Sequence, residues 1–187
     1  MFLNIKMILP IILQFLFVST LGTLFHFAYD WTNHNFIFSI IGATNESTLE
    51  HLKMGIFPFF FWFLIRQFLL SFSYSFIGMF FCLLYFIISI STVFYSYMYI
   101  TKKAILPIDI SNFYQGVLIG TIIEHYINIY SIRNVYNNIG CFGIFCILVI
   151  ALKCTYYPFE CFLMRDPISN LYGIKGHSKC KARIKNK

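Results

Sequence analysis

The sequence predicts an all-α integral membrane helical bundle with about five transmembrane helices, and three observations predict it. Hydrophobic residues make up 59% of the chain and charged residues only 11%, against roughly 25% charged in ordinary soluble domains. Apolar runs of about 20 residues, the length that crosses a hydrocarbon core, recur along the chain between short polar stretches. These runs show no β-barrel alternation, and a helix satisfies its own backbone groups where water is absent. In water the same Phe- and Ile-rich faces would expose apolar patches beyond the few hundred Å² that soluble monomers tolerate. The lipid bilayer is therefore the first expected partner. The 187 residues suffice for a single membrane domain.

The first span is expected over residues 7–29. Its apolar length exceeds the roughly 7–15 residues of a signal-peptide core and no small-x-small site closes it, so it is read as a retained span. A polar stretch over 30–53 then leaves the hydrocarbon. Within it, Ser47-x-x-Glu50 has the form of a capping box, with Asn45 a competing N-cap. The second span, 48–70, starts there, and Pro58 is expected to kink it because the ring removes a backbone donor. From 68 to 100 the chain is apolar for too long to be one span. A turn is expected at Ser71-Phe72-Ser73-Tyr74-Ser75, so that the third span covers 76–98 and ends at Lys102-Lys103. Pro107 and Asp109 open the fourth, 110–132, closed by Arg133, Asn134, Asn137 and Asn138. The fifth covers 139–157, and Pro158 stops it.

Charge is unevenly distributed. Of fourteen basic residues, six (Lys175, Lys179, Lys181, Arg183, Lys185 and Lys187) form a basic tail over 175–187. Beyond a final span such a tail is an orientation signal and a contact for anionic lipid headgroups. No nucleic-acid-binding motif accompanies it, which argues against nucleic acid as a partner. With five spans, Lys53, Lys102, Lys103, Lys153, Arg165 and the tail share one side, eleven residues against the three of Lys6, Arg66 and Arg133. The positive-inside rule then places the N-terminus outside and the C-terminus in the cytoplasm of a cell membrane. Without the tail the balance is five against three. The six cysteines include no CxxC pair, so they are no disulfide framework. Cys154, Cys161, His177 and Cys180 match no common zinc spacing. The sequence specifies neither a cofactor nor an oligomeric state.

Ionisable groups inside a membrane cost roughly 2.5–3.5 kcal/mol each on insertion scales, so each asks for a reason. At about 1.5 Å per residue, Arg66 lies about 28 Å along the second helix and Glu124 about 21 Å along the fourth. Arg66, Glu124 and His125 thus share an outer depth. Arg66 with Glu124 is the candidate structural ion pair; a proton or solute path is the sharper alternative. An inner layer holds His26 and Asp30, which share a face at i, i+4, and Glu46, Glu50 and Lys53, with His51 turned about 100° away. Asp109 enters the same layer. His26, Asp30, Glu46, Glu50, His51 and Asp109 are the candidate ligand or proton residues. Capping and the i, i+3 pair of Glu50 with Lys53 account for part of this cluster. Its spacing is no diagnostic metal motif.

Leu21-Gly22-x-x-x-His26-Phe27-x-Tyr29, then Asn45-Glu46-Ser47-x-x-Glu50-His51-x-Lys53 and Pro58, then Arg165-Asp166-Pro167-x-x-x-x-Tyr172-Gly173-Ile174 occur in that order. With these blocks the chain resembles a bacterial family of small multi-spanning membrane proteins known as a domain of unknown function. The family carries a Trp where this chain has Leu49. The resemblance implies a bacterial membrane protein of similar architecture and carries no activity with it. Three functions compete. The leading one is a multi-pass protein that binds a small ligand, ion or proton at the inner cluster, in transport or sensing. A metal-dependent membrane hydrolase would need His26 or His51 and two carboxylates at one point; catalysis is the less favoured reading. A structural or accessory subunit would show an exposed face of small residues, for which Gly116-x-x-x-Gly120 is the candidate. The 165–174 segment reads as a turn, or as a flap over the inner cluster.

Overall fold

The computed structural model describes residues 5–68, 75–129, 136–167 and 170–175. Its helices are α1 (Ile5–Trp31), α2 (Phe36–Ile41), α3 (Thr48–Phe68), α4 (Phe76–Thr101), α5 (Leu106–Ile129) and α6 (Asn137–Tyr156), followed by a 3-10 turn at Phe162–Met164. The chain is all-helical, in keeping with a helical membrane bundle. Five of these helices, α1, α3, α4, α5 and α6, have at least 20 residues each. Four of them, α1, α3, α4 and α6, are long and apolar enough to cross a membrane. The 24-residue α5 is long enough, but Asp109, Asn112, Gln115, Glu124, His125 and Asn128 dilute its apolar character. Short α2 has no counterpart among the expected elements. Asn35 starts it by accepting the Ile37 N–H at 2.8 Å.

The chain divides into two compact units: Met1–Thr20 with Pro58–Phe145, and Leu21–Phe57 with Cys146–Lys187. Helix α3 runs through Pro58 as one element, and the division falls at that residue.

In the first unit α4 packs against α5, and the small residues of α5 permit it. A Cβ on Gly120 would lie 3.1 Å from Cys82 Sγ and 3.3 Å from the Cys82 carbonyl, and one on Gly116 would lie 3.2 Å from Phe86. The Gly116-x-x-x-Gly120 face is thus covered by this chain's own α4 rather than exposed. Polar bonds lock the pair: Gln115 donates to the Tyr85 hydroxyl at 2.7 Å and accepts from Ser89 at 3.2 Å. Ser75 caps α4 by accepting the Gly78 N–H at 3.2 Å, and its own N–H and hydroxyl donate to Asn128 Oδ1 of α5 at 2.7 and 2.8 Å. Ser75 closes the expected turn. The rest of that turn, 71–74, lies outside the described residues, as do Arg133, Asn134 and the tail from 176 onward.

Helix α6 meets α4 at Gly140, where an added Cβ would lie 2.4 Å from Ile77 N and 2.5 Å from Phe76 C. Both obstacles are backbone and cannot rotate away. Gly140→Ala is therefore expected to destabilise the protein by about 1–3 kcal/mol, as overpacking does. Thermal unfolding in lipid nanodiscs would show this as a lowered Tm. An unchanged Tm would mean that α6 does not approach α4 so closely.

The second unit is held by close backbone approaches. A Cβ on Gly42 would lie 2.6 Å from the Phe25 carbonyl, and Ala43 N–H donates to that carbonyl at 3.2 Å. The connection from α2 to α3 is thereby pinned to α1 beside His26. The 165–174 segment folds on itself. Arg165 and Tyr172 form an antiparallel bridge, Asp166 N–H donates to Leu171 O at 2.9 Å, and Ile174 N–H donates to Thr155 O at 2.9 Å. Gly173 holds φ +58°, and a Cβ there would lie 2.6 Å from Thr155 O. Glycine fits this contact on both counts.

Candidate functional site

Three blocks far apart in sequence, around residues 21–29, 45–53 and 165–174, fall in the second unit. They build two adjoining polar clusters there.

The first is a buried core around Glu50 and Lys53, whose side chains are 1% and 0% exposed. Lys53 Nζ contacts Glu50 Oε2 at 2.7 Å and donates to Ser39 O and Thr155 Oγ1, both at 2.9 Å. An ammonium has three donors, and all three are used. Glu50 accepts from Thr44 N–H at 2.8 Å and from the Thr44 hydroxyl at 2.9 Å through Oε2, and from Thr155 at 2.9 Å through Oε1. Tyr156 extends the core through a hydroxyl–hydroxyl bond to Ser39. Desolvating both charges costs several kcal/mol per ion, and such satisfied geometry is what offsets it. Because Glu50 reaches back to Thr44, two residues before Glu46, it ties the α2–α3 connection to the helix that carries His51.

The second cluster is His26, Glu46 and His51. One potential ligand atom from each lies within 4.8 Å of the other two. The imidazoles of His26 and His51 face each other with ring centroids 5.2 Å apart, and His51 Nε2 lies 3.4 Å from Glu46 Oε2. His51 Nδ1 lies 3.0 Å from the Ser47 carbonyl. A carbonyl only accepts, so Nδ1 is the donor in that contact, and Nε2 is the ring nitrogen turned toward Glu46. His26 Nδ1 is buried with no hydrogen-bond partner among the described residues. The side chains of His51 and Glu46 are 34% and 42% exposed, so a small solute can reach the cluster. Asn45 steadies its base: the side chain accepts Ser47 N–H at 2.8 Å and donates to Gly173 O at 2.7 Å. The 165–174 turn is thereby held next to Glu46.

The other expected residues have partners of their own. Asp30 pairs with His34 at 3.5 Å on an exposed face. Asp109 belongs to the first unit, where it accepts from the Tyr97 hydroxyl. Also in the first unit, Arg66 Nη2 is paired with Glu124 Oε1. Gln14 of α1 completes a triad: its amide donates to Glu124 Oε2 at 2.6 Å and its carbonyl accepts from Arg66 Nη1 at 2.8 Å. Sequence reasoning missed Gln14, although it is the sole amide in the first apolar run. It also missed Ser39, Thr44 and Thr155, hydroxyl residues that carry no charge to draw notice.

Comparisons with curated proteins and with solved structures give no match. A family model, by contrast, matches residues 3–174, and the chain belongs to that family, the family of unknown function DUF6512.

Proposed function

We propose that this is a multi-pass membrane protein that binds a small cation at His26, Glu46 and His51, in a transport or sensing role. The convergence of those three side chains carries the reading. The expected ligand, ion or proton narrows to a cation, because the cluster offers a carboxylate and two imidazoles, all of them donor groups for a cation. Five crossings fit the polar α5: Asn112, Glu124 and Asn128 are buried, and a polar helix can cross when its polar groups face protein. Five crossings, with the Lys and Arg count, support a C-terminus in the cytoplasm of a cell membrane and a basic tail against anionic headgroups. The hydrolase alternative called for two carboxylates and a histidine at one point, whereas Glu46 is joined by two histidines.

The test is thermal unfolding of the full chain in nanodiscs across a series of alkali, alkaline-earth and transition-metal cations. A cation at 100 times its Kd adds about 2.7 kcal/mol, or a Tm rise of roughly 5–11 °C for a chain of this size. At least one cation is expected to raise Tm in the wild type, with the rise lost in Glu46→Gln. If no cation separates the two proteins, the reading fails.

A further inference from the structure

The ligand set narrows the cation further. We propose that His26, Glu46 and His51 hold one divalent transition-metal ion of the zinc class, bound by three side chains with at least one coordination position left for water or a small exogenous ligand. This rests on the cation reading above and deepens it.

Ligand chemistry selects the class. Calcium and magnesium take six or more oxygen ligands, whereas two imidazoles with one carboxylate suit zinc, iron, cobalt or nickel. Geometry permits it. Three atoms no more than 4.8 Å apart lie at most about 2.8 Å from a common centre, so an inward shift of under about 1 Å reaches the roughly 2.0–2.2 Å of Zn–N and Zn–O bonds. The outer contacts of His51 are those of a metal-bound imidazole, whose second nitrogen usually donates to a carbonyl or carboxylate. Ser47 O is that acceptor, 3.0 Å from Nδ1. The buried Nδ1 of His26, without a partner among the described residues, is a polar atom whose burial a metal would justify. Three protein ligands leave a tetrahedral ion one vacant position, and the exposure of Glu46 and His51 gives solvent access to it. Structural zinc sites are closed by four protein ligands, whereas sites that engage a further ligand keep one open.

The test uses the full chain in nanodiscs, titrated with Co²⁺ as a spectroscopic probe and with Zn²⁺ in competition. One equivalent of Co²⁺ is expected to give visible d–d bands of a four- or five-coordinate ion without a thiolate charge-transfer band, and Zn²⁺ is expected to displace it. His26→Gln, Glu46→Gln and His51→Gln should each weaken Zn²⁺ binding by more than about 100-fold, beyond the roughly 10–100-fold cost of losing an outer-shell partner. Retained helicity by circular dichroism and a monodisperse elution profile confirm that each variant is folded. A thiolate band would assign the metal to the cysteines and overturn the proposal, as would binding that survives all three substitutions. Stabilisation by sodium, calcium or magnesium but not by Zn²⁺ or Co²⁺ would sink this inference and leave the cation reading standing. No response to any cation would sink both.

Discussion

Glu124→Ala is expected to lower the stability of the protein by about 3–5 kcal/mol, the usual cost of stranding one partner of a buried ion pair. Glu124 and Arg66 are 0% and 4% exposed at the side chain, so water cannot take the place of the lost carboxylate. Gln14 would lose the acceptor of its amide while still facing the uncompensated guanidinium of Arg66. For a chain of this size the loss corresponds to a Tm lower by roughly 6–20 °C, measured in nanodiscs. Two companions separate the causes. Glu124→Gln keeps a hydrogen-bond acceptor and removes the charge, and is expected to fall nearly as far. The double change Arg66→Met with Glu124→Leu removes both charges, and is expected to recover most of the loss, because buried ion pairs are often replaceable by apolar groups of similar volume. A double variant as unstable as Glu124→Ala would show that the directional bonds of the triad, rather than its charge balance, join α1, α3 and α5.

Much of the fold was legible because lipid reduces the problem to length and hydropathy. The extents of α3 and α4 follow from the count of apolar residues. Ser75 is an N-cap because its hydroxyl stands where α4 needs an acceptor, whereas Glu50 turns to Thr44 and the Ser47 N–H goes to Asn45 rather than closing the expected capping box. Helix α2 was not legible. It has six residues, too few for a helical period to show. Within the candidate site, depth was readable and azimuth was not. Rise per residue puts Arg66 and Glu124 at one depth, but it equally groups Asp109, which bonds to Tyr97 within the first unit, with His26. Neighbouring positions on a helix diverge by about 100°. That is why Glu50 enters the buried core with Lys53 while His51, the next residue, turns to His26 and Glu46. The partners that complete the core, Ser39, Thr44 and Thr155, come from α2, the connection after it and α6. Only the packed chain assembles them.

The same packing makes Lys53 the residue whose loss should be felt twice. Lys53→Met keeps most of the side-chain volume and removes the ammonium, leaving the Glu50 carboxylate buried with Thr44 and Thr155 as its remaining donors. The expected cost is again about 3–5 kcal/mol, read as a lowered Tm. The second effect follows from connectivity. Glu50 holds Thr44 and stands beside His51, so a carboxylate that rotates away or takes up a proton releases the connection that presents Glu46. Cation affinity at His26, Glu46 and His51 is expected to fall by about 10–100-fold, the range for outer-shell losses at metal sites, without abolishing binding. Glu50→Gln with Lys53→Met removes both charges while the amide can still accept from Thr44. It is expected to regain stability and affinity together, because both depend on the same anchored Thr44. Stability regained without affinity would mean that the buried core serves the fold alone and that Glu46 is positioned by Asn45 and the 165–174 turn. Lys53→Met with wild-type Tm and wild-type affinity would remove the buried core from both roles.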